Sequence, residues 1–358
     1  MTTTFKEISS NDVISTRSML HEAIPITGTI VSGTYEPDKN IKNYTHGMFQ
    51  SIYDYPYLSS SANHIFDLTA GYASGSALSG ATNVQNAKKI NIYNEMAQVL
   101  VGFDESGQVR YFDEDGDLTG GTKLKEAYFV NLTRLIAKDE IKKGSFSLKL
   151  GVNQAFGDAS DTKVVTITDY SGANGFKVNS PAGEYGILYA SGSASVMKNQ
   201  DSNGQYQCGL LYYQAGIAVL SASLFNDATN GLLLQSCVML AGLSGSSTTL
   251  LTGSAITGAC DAIRHRFINL SFNNTTEINS TIYFCRANHN EFNYSSNPTY
   301  LSASRLVVKN NAQDLPVSFI TSVGLYSPDN ELLAVGKLSE PLRKDPANEL
   351  TVRVRLDY

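Results

Sequence analysis

A nearly uncharged tract in the second half of the chain most constrains what this sequence can fold into. Between Ser202 and Cys260 the only charged residue is Asp227. A solvated surface needs charged side chains, so a tract this neutral belongs either to a hydrophobic core or to a contact between subunits. The sequence leaves both interpretations open. The apolar residues that would form such an interface are Leu232, Leu233, Leu234, Val238 and Leu240.

The most apolar part of this tract, Gly209 to Phe225, is GLLYYQAGIAVLSASLF. It is shorter than the about 20 apolar residues that a membrane-spanning helix needs. Gln214 and Gly216 interrupt it, and strand-forming residues are frequent in it. The run therefore predicts two buried strands and no membrane span.

The overall composition favours β-sheets joined by many turns. Charged residues make up 17% of the chain, against about 25% in typical soluble domains, and there are 29 Gly, 20 Tyr and 15 Phe. The formal net charge is −6, with no basic cluster longer than Lys142-Lys143, so no nucleic-acid partner is expected. The cysteines form no CxxC pair, which predicts free buried thiols. They are Cys208, Cys237, Cys260 and Cys285.

Apolar periodicity and turn residues predict three regions. Residues 1–155 form a mixed α+β region, residues 156–265 a strand-rich region of low charge, and residues 266–358 a β-sandwich-like C-terminal domain. One helix is expected from Asn11 or Asp12 to before Pro25, and a second over residues 83–101, ended by Gly102. The fold class is mainly β with a few helices (α+β).

The C-terminal stretch VGLYSPDNELLAVGKL, residues 323–338, predicts a β-hairpin. Proline at position 328 fixes φ for the turn, and Asn330 tolerates the left-handed conformation. The last strand, residues 350–356, alternates apolar with charged or polar residues, which predicts one buried and one charged face.

The sequence contains little that indicates catalysis. Asp113, Asp115 and Asp117 alternate as calcium ligands do, but Leu118 and Leu124 stand where an EF-hand loop needs Gly and Glu. A solvated acidic turn is the simpler interpretation, with adventitious cation binding as the alternative. The chain has neither a GxSxG nor a GxxxxGK[ST] motif. We therefore expect no enzyme activity, no catalytic or metal site, no cofactor and no small-molecule ligand.

Two groups of segments resemble a known family. The first is TRSMLHEAIPITGTI (residues 16–30) with NYTHGMFQSIYDYPYL (residues 43–58), and the second is FNYSSNPTY (residues 292–300) with ITSVGLY (residues 320–326) and ELLAVGK (residues 331–337). They are similar to virion structural proteins of tailed bacteriophages, especially marine and cyanobacterial phages with contractile tails. The hairpin also resembles a segment of tail-fibre and baseplate proteins. The residues of this expected assembly hairpin are Val323, Leu325, Tyr326, Pro328, Leu333 and Val335.

The resemblance implies a structural subunit of the phage tail, baseplate or neck that assembles with other virion proteins and with copies of itself. It also implies a location in the virion after synthesis in the host cytoplasm. Two alternatives stay open: a head-decorating virion protein, and a receptor-binding, fibre-type module that uses the aromatic residues between Tyr44 and Tyr57. The resemblance implies no catalytic residue.

Overall fold

A computed structural model describes residues 5–24, 39–136, 139–151, 164–192, 202–225, 247–264, 266–295, 301–302, 305–306, 313 and 315–358. Within these ranges most of the regular structure is β-strand, with four short α-helices, so the predicted class of mainly β with a few helices is confirmed. The helices are α1 (Asn86–Leu100), α2 (Gly172–Gly175), α3 (Ser247–Gly253) and α4 (Ile256–Arg264). The strands are β1 (Val13–Ile24), β2 (Ile41–Asn43), β3 (Gln50–Tyr53), β4 (His64–Tyr72), β5 (Phe112–Asp113), β6 (Lys123–Leu124), β7 (Glu126–Asn131), β8 (Glu140–Ile141), β9 (Ser147–Gly151), β10 (Val164–Thr168), β11 (Tyr185–Ser191), β12 (Gln205–Tyr212), β13 (Ile217–Ser221), β14 (Phe267–Ala287), β15 (Leu301–Ser302), β16 (Arg305–Leu306), β17 (Ser318–Tyr326), β18 (Leu332–Lys344) and β19 (Leu350–Asp357).

The chain divides into two compact units. The central unit comprises residues 20–276, and the terminal unit combines residues 1–19 with residues 277–358. The division between them at residues 276 and 277 lies inside β14. The boundary expected after residue 155 falls outside the described residues, so the three-region division stays a prediction.

The central unit is built on one antiparallel sheet. Its strand order is β14-β9-β10-β11-β12-β13-β7-β4-β3-β2, and β8 also pairs with β14. Two segments of similar sequence, YGILY at residues 185–189 and GLLYY at residues 209–213, pair with each other, since Ile187 of β11 lies opposite Leu210 of β12.

Helices cover both faces of this sheet at β7. The rings of Tyr93 on α1 and Phe129 on β7 have centroids 6.4 Å apart. The neighbouring Tyr128 hydroxyl lies 3.0 Å from the Ser247 hydroxyl of α3. Because consecutive strand residues point to opposite faces, α1 and α3 cover opposite sides of the sheet.

Helix α1 follows the sequence prediction closely. Its buried Ile92, Tyr93, Ala97 and Leu100 recur at helical spacing. Gly102, at φ +85°, donates its N–H to the Ala97 carbonyl and ends the helix in the left-handed conformation that glycine adopts readily.

The apolar run at residues 209–225 forms two buried strands, as predicted. It contributes the second half of β12, the whole of β13 and a short 3-10 helix at Ala222–Phe225. Gly216, at φ +64°, makes the turn between the strands and donates its N–H to the Tyr212 carbonyl. No helix in the described parts of the chain is long and apolar enough to cross a membrane.

The segment that was predicted to form the first helix is a strand in the structure. The prediction of a helix beginning at Asn11 or Asp12 is wrong: a short 3-10 helix at Ser10–Asp12 leads into strand β1. Asp12 pairs with Arg286, and Ser15 lies beside Thr281. Residue numbers rise towards β1 while they fall along β14, so the two segments run antiparallel. Pairing with β14 and the β-branched residues at the start of β1 outweigh the helical spacing of its apolar residues.

The other edge of β14 in this unit pairs with β19 over Ser280–Ala287 and Leu350–Asp357. The exposed and half-buried residues of β19 alternate as the sequence predicts. Strands β17 and β18 form a separate two-stranded ribbon, and β15 pairs with β16. A sandwich-like packing of these sheets stays a prediction.

Candidate assembly surface

The turn of the expected assembly hairpin is set by Ser327, Pro328 and Asn330. The Asn330 N–H donates to the Ser327 carbonyl at 3.0 Å, with Pro328 at the second position of the turn. Asn330 adopts φ +65°, and the Ser327 N–H then donates to the Glu331 carbonyl at 2.9 Å. The turn residues therefore act as their sequence predicts.

The apolar residues of the ribbon point to two faces. Leu325 lies opposite Ala334, and Gly324 lies opposite Val335, so Leu325 and Val335 point in opposite directions. The extra residue Leu333, between the positions paired with Leu325 and Tyr326, shifts the alternation on β18. The simple alternation in the sequence could not show this bulge.

One face of the ribbon is open to solvent. Leu325 is only 7% exposed, whereas Leu332, Leu333 and Val335 are 53, 67 and 57% exposed. Tyr326 is 44% exposed and its ring centroid lies 4.7 Å from that of Phe5. We call these residues the ribbon face: Phe5, Tyr326, Leu332, Leu333 and Val335. Contiguous exposed apolar side chains of this kind are typical of interaction surfaces.

The second predicted interface lies outside the described residues. Leu232, Leu233, Leu234, Val238 and Leu240 all fall between residues 226 and 246. Their expected interface role stays a prediction. Parts of the same tract that are described, including Leu210, Leu220 and Cys260, belong to the hydrophobic core.

The aromatic residues between Tyr44 and Tyr57 lie at a surface of the central unit. Tyr44 stacks on His46 with ring centroids 5.2 Å apart, and Tyr53 contacts His64 edge-on at 5.3 Å. Tyr55 and Tyr57 are 46 and 38% exposed. Tyr55 and Tyr57 are thus more exposed than the rings of a buried aromatic core, whereas Tyr44 and Tyr53 are half-buried.

The acidic turn brings Asp113, Asp115 and Asp117 together, with one carboxylate oxygen of each within 4.8 Å of the others. Asp113 is buried and lies 2.9 Å from the Lys123 ammonium. Burial raises the pKa of Asp113, while Lys123 opposes that change. Backbone N–H groups of Leu118 and Thr119 donate to Asp113 and Asp117. The positive charge and the hydrogen-bond donors around these carboxylates thus come from the protein itself. The sequence pattern did not identify Lys123 as a partner of Asp113.

Ser51, His64 and Asp67 also lie together, but not as a catalytic triad. Both the Ser51 hydroxyl, at 2.5 Å, and His64 Nε2, at 2.6 Å, bond to the same Oδ1 atom of Asp67. In a triad the histidine lies between serine and aspartate and accepts the serine proton. Here the aspartate lies between them, so the cluster lacks the serine–histidine hydrogen bond that activates a nucleophile.

A polar cluster joins β8 to the residues that precede β9 and β11 and to the residue that follows β10. The Lys143 ammonium lies 2.9 Å from Glu140 and 2.5 Å from Glu184. Although burial opposes it, hydrogen bonds to Glu184 and Glu140 raise the pKa of Lys143. Asp169 accepts hydrogen bonds from the backbone N–H groups of Gly144 and Phe146. This arrangement compensates buried charges and holds loops in place.

Lys89 of α1 is fully buried and bonds to three backbone carbonyls. Its Nζ donates to Val84, Leu251 and Ser254 at 2.6–2.7 Å. Burial lowers the pKa of Lys89 to about 8, while the three acceptors favour the ammonium form. Two of the acceptors lie at the end of α3, so the side chain ties α1 to that helix.

Comparison of the chain with protein-family models, with curated proteins and with solved structures finds no match.

Proposed function

We propose that this protein is a structural subunit of a bacteriophage virion, in the tail, baseplate or neck, and that it acts by assembling with other virion proteins and with copies of itself. The observation that carries the proposal is the exposed ribbon face, whose residues apart from Phe5 lie in two of the segments, ITSVGLY and ELLAVGK, that resemble phage structural proteins. Exposed leucine and valine side chains grouped in this way favour a covering partner. The low fraction of charged residues also supports a chain that buries part of its surface against protein.

Electron microscopy of intact phage particles labelled with an antibody against this chain tests the proposal. The antibody should label the tail, baseplate or neck. Label confined to the head would favour the head-decorating alternative, and particles that carry no label while the infected cell contains the protein would contradict a virion role.

A receptor-binding function is a second candidate, and the exposed aromatic residues between β3 and β4 favour it. Tyr55, Tyr57 and Leu58 project from this connection, with Leu58 86% exposed. Purified protein should then bind host cells or isolated lipopolysaccharide, and a Tyr55→Ser/Tyr57→Ser variant should bind less. Tyr294→Ser, which changes an exposed tyrosine of the terminal unit, is the matched control. Equal binding by both variants would contradict this function.

A further inference from the structure

Strand β17 has an open edge in the terminal unit. Among the described residues, β18 is its only strand partner. A two-stranded ribbon alone is marginally stable, and an unpaired edge offers N–H and C=O groups to any extended chain. This edge is therefore either protected by its sequence or covered by a partner.

The edges of β18 and β19 in this unit are protected, whereas the edge of β17 is not. Strand β18 carries Lys337, Pro341, the bulge at Leu333 and four residues, 338–341, opposite the single Thr321 of β17. Strand β19 presents exposed Arg353, Arg355 and Asp357. Charges, proline and bulges are the devices that prevent edge pairing. The nine residues of β17 contain neither a charge nor a proline, and the extra residues of both irregularities lie on β18.

Charge and symmetry favour a second copy of the same chain as the partner of β17. The terminal unit contains ten Lys and Arg against eleven Asp and Glu, so two terminal units repel each other little, whereas most of the net charge of −6 belongs to the central unit. Antiparallel self-pairing about Ser322 uses all nine residues. It places Phe319 of one copy opposite Leu325 of the other, and Thr321 opposite Val323. Apolar, aromatic and β-branched pairs of this kind stabilise antiparallel strands.

We infer that β17 pairs antiparallel with β17 of a second copy, about a two-fold axis at Ser322, to form a four-stranded sheet from two ribbons. This interface deepens, and rests on, the proposed role as a self-assembling structural subunit. In this register the same edge of β17 is used by both copies, as a two-fold symmetric contact requires.

A cysteine at the axis tests the register. Opposite residues of antiparallel strands have Cα atoms about 4.5–5.5 Å apart, which suits a disulfide. Under mild oxidation Ser322→Cys should give a disulfide-linked dimer on a non-reducing gel. Ser339→Cys, at an exposed position of the protected strand β18, should give no more dimer than the parent chain. Equal cross-linking of the two variants would overturn the assigned register.

A lysine at the same positions tests the energetics. Ser322→Lys places two ammonium groups opposite each other and should raise the dimer dissociation constant about tenfold or more in sedimentation, whereas Ser339→Lys should leave it near the parent value. Circular dichroism checks that both variants fold. A Ser322→Lys chain that self-associates like the parent overturns the inference, and so does a parent chain that stays monomeric. The antibody label on particles decides the virion role independently, so the two failures can be told apart.

Discussion

Lys89 shows how a single residue links stability to pH. The folded protein lowers the pKa of Lys89 to about 8 by burial, whereas its ordinary value is 10.5. Between these pH values the unfolded chain binds more protons than the folded chain. The free energy of unfolding should therefore rise with pH across this window, and the contribution of Lys89 should be constant below it.

Lys89→Met should remove this rise. It should also lower the free energy of unfolding at pH 7 by about 1–3 kcal/mol, because three buried carbonyls lose their donor. Urea denaturation at several pH values between 7 and 10.5 measures both effects. Lys88→Met, which changes the exposed neighbour on α1, is the control and should retain the rise. A flat pH profile for the parent chain would contradict the prediction.

Residue-level chemistry was only partly predictable from the sequence. Cys208 and Cys260 are free and buried, as predicted, whereas Cys285 is free but only half-buried, and Cys237 lies outside the described residues. The sequence did not predict the roles of Lys89 and Lys123. A buried lysine can be identified only from the acceptor groups that surround it in the folded chain. For Lys89 two of these, Leu251 and Ser254, lie more than 160 positions away along the chain. Local apolar spacing contains no information about such partners.

At the scale of elements, the turn of the ribbon gives a local test. Asn330 holds φ +65°, which costs a β-branched residue roughly 1–2 kcal/mol but costs glycine nothing. Asn330→Val should therefore loosen the ribbon, whereas Asn330→Gly should leave it unchanged. Hydrogen exchange of the Leu325 to Ala334 segment measures the effect. Equal protection in the two variants would show that the turn conformation does not limit ribbon stability.

Gly209 of β12 provides a second test, in the central sheet. A Cβ atom at this position would lie 2.0 Å from the Val219 carbonyl oxygen of β13. Gly209→Ala should therefore push the two strands apart and cost about 1–3 kcal/mol, seen as a lower melting temperature. Gly336→Ala on β18, where no atom lies within 4 Å, is the matched control. A Gly209→Ala chain as stable as this control would contradict the close strand contact.

Elements were predictable where local rules agree with the surrounding structure. Helix α1, its stop at Gly102 and the hairpin turn follow from spacing and from residues that tolerate φ above zero. The helix prediction for the segment that forms β1 was wrong, because its secondary structure depends on pairing with β14 rather than on its own apolar periodicity. The bulge at Leu333 was also invisible, since it arises from the register of two strands.

At the scale of the whole molecule, the uncharged tract predicts an assembly defect. If the tract is packed as the sequence predicts, Leu233→Asp should block assembly or solubility, because a carboxylate in a packed environment needs a compensating partner. Thr229→Asp, beside Asp227, is the control. Solubility and sedimentation of the purified chains measure the outcome. A Leu233→Asp chain that folds and assembles normally would show that this part of the tract is not packed.

The β-rich class was predictable from composition and turns, but the sheet order was not. Strand β13 pairs with β7 and strand β9 pairs with β14, although long segments separate each pair along the chain. Sequence alone gives the strands as separate segments. Which strands pair depends on contacts between distant parts of the chain in the folded core.

The late position of β14 has a consequence for synthesis on the ribosome. Both β1 and β9 have a neighbour in β14, which follows β9 by more than 100 residues and β1 by more than 200. At typical elongation rates of about 5–20 residues per second, β1 waits roughly 10–50 s for its partner. During that interval the nascent chain carries unpaired strand edges. Production of this protein should therefore depend on chaperone capacity and on translation speed more strongly than its folded stability would suggest.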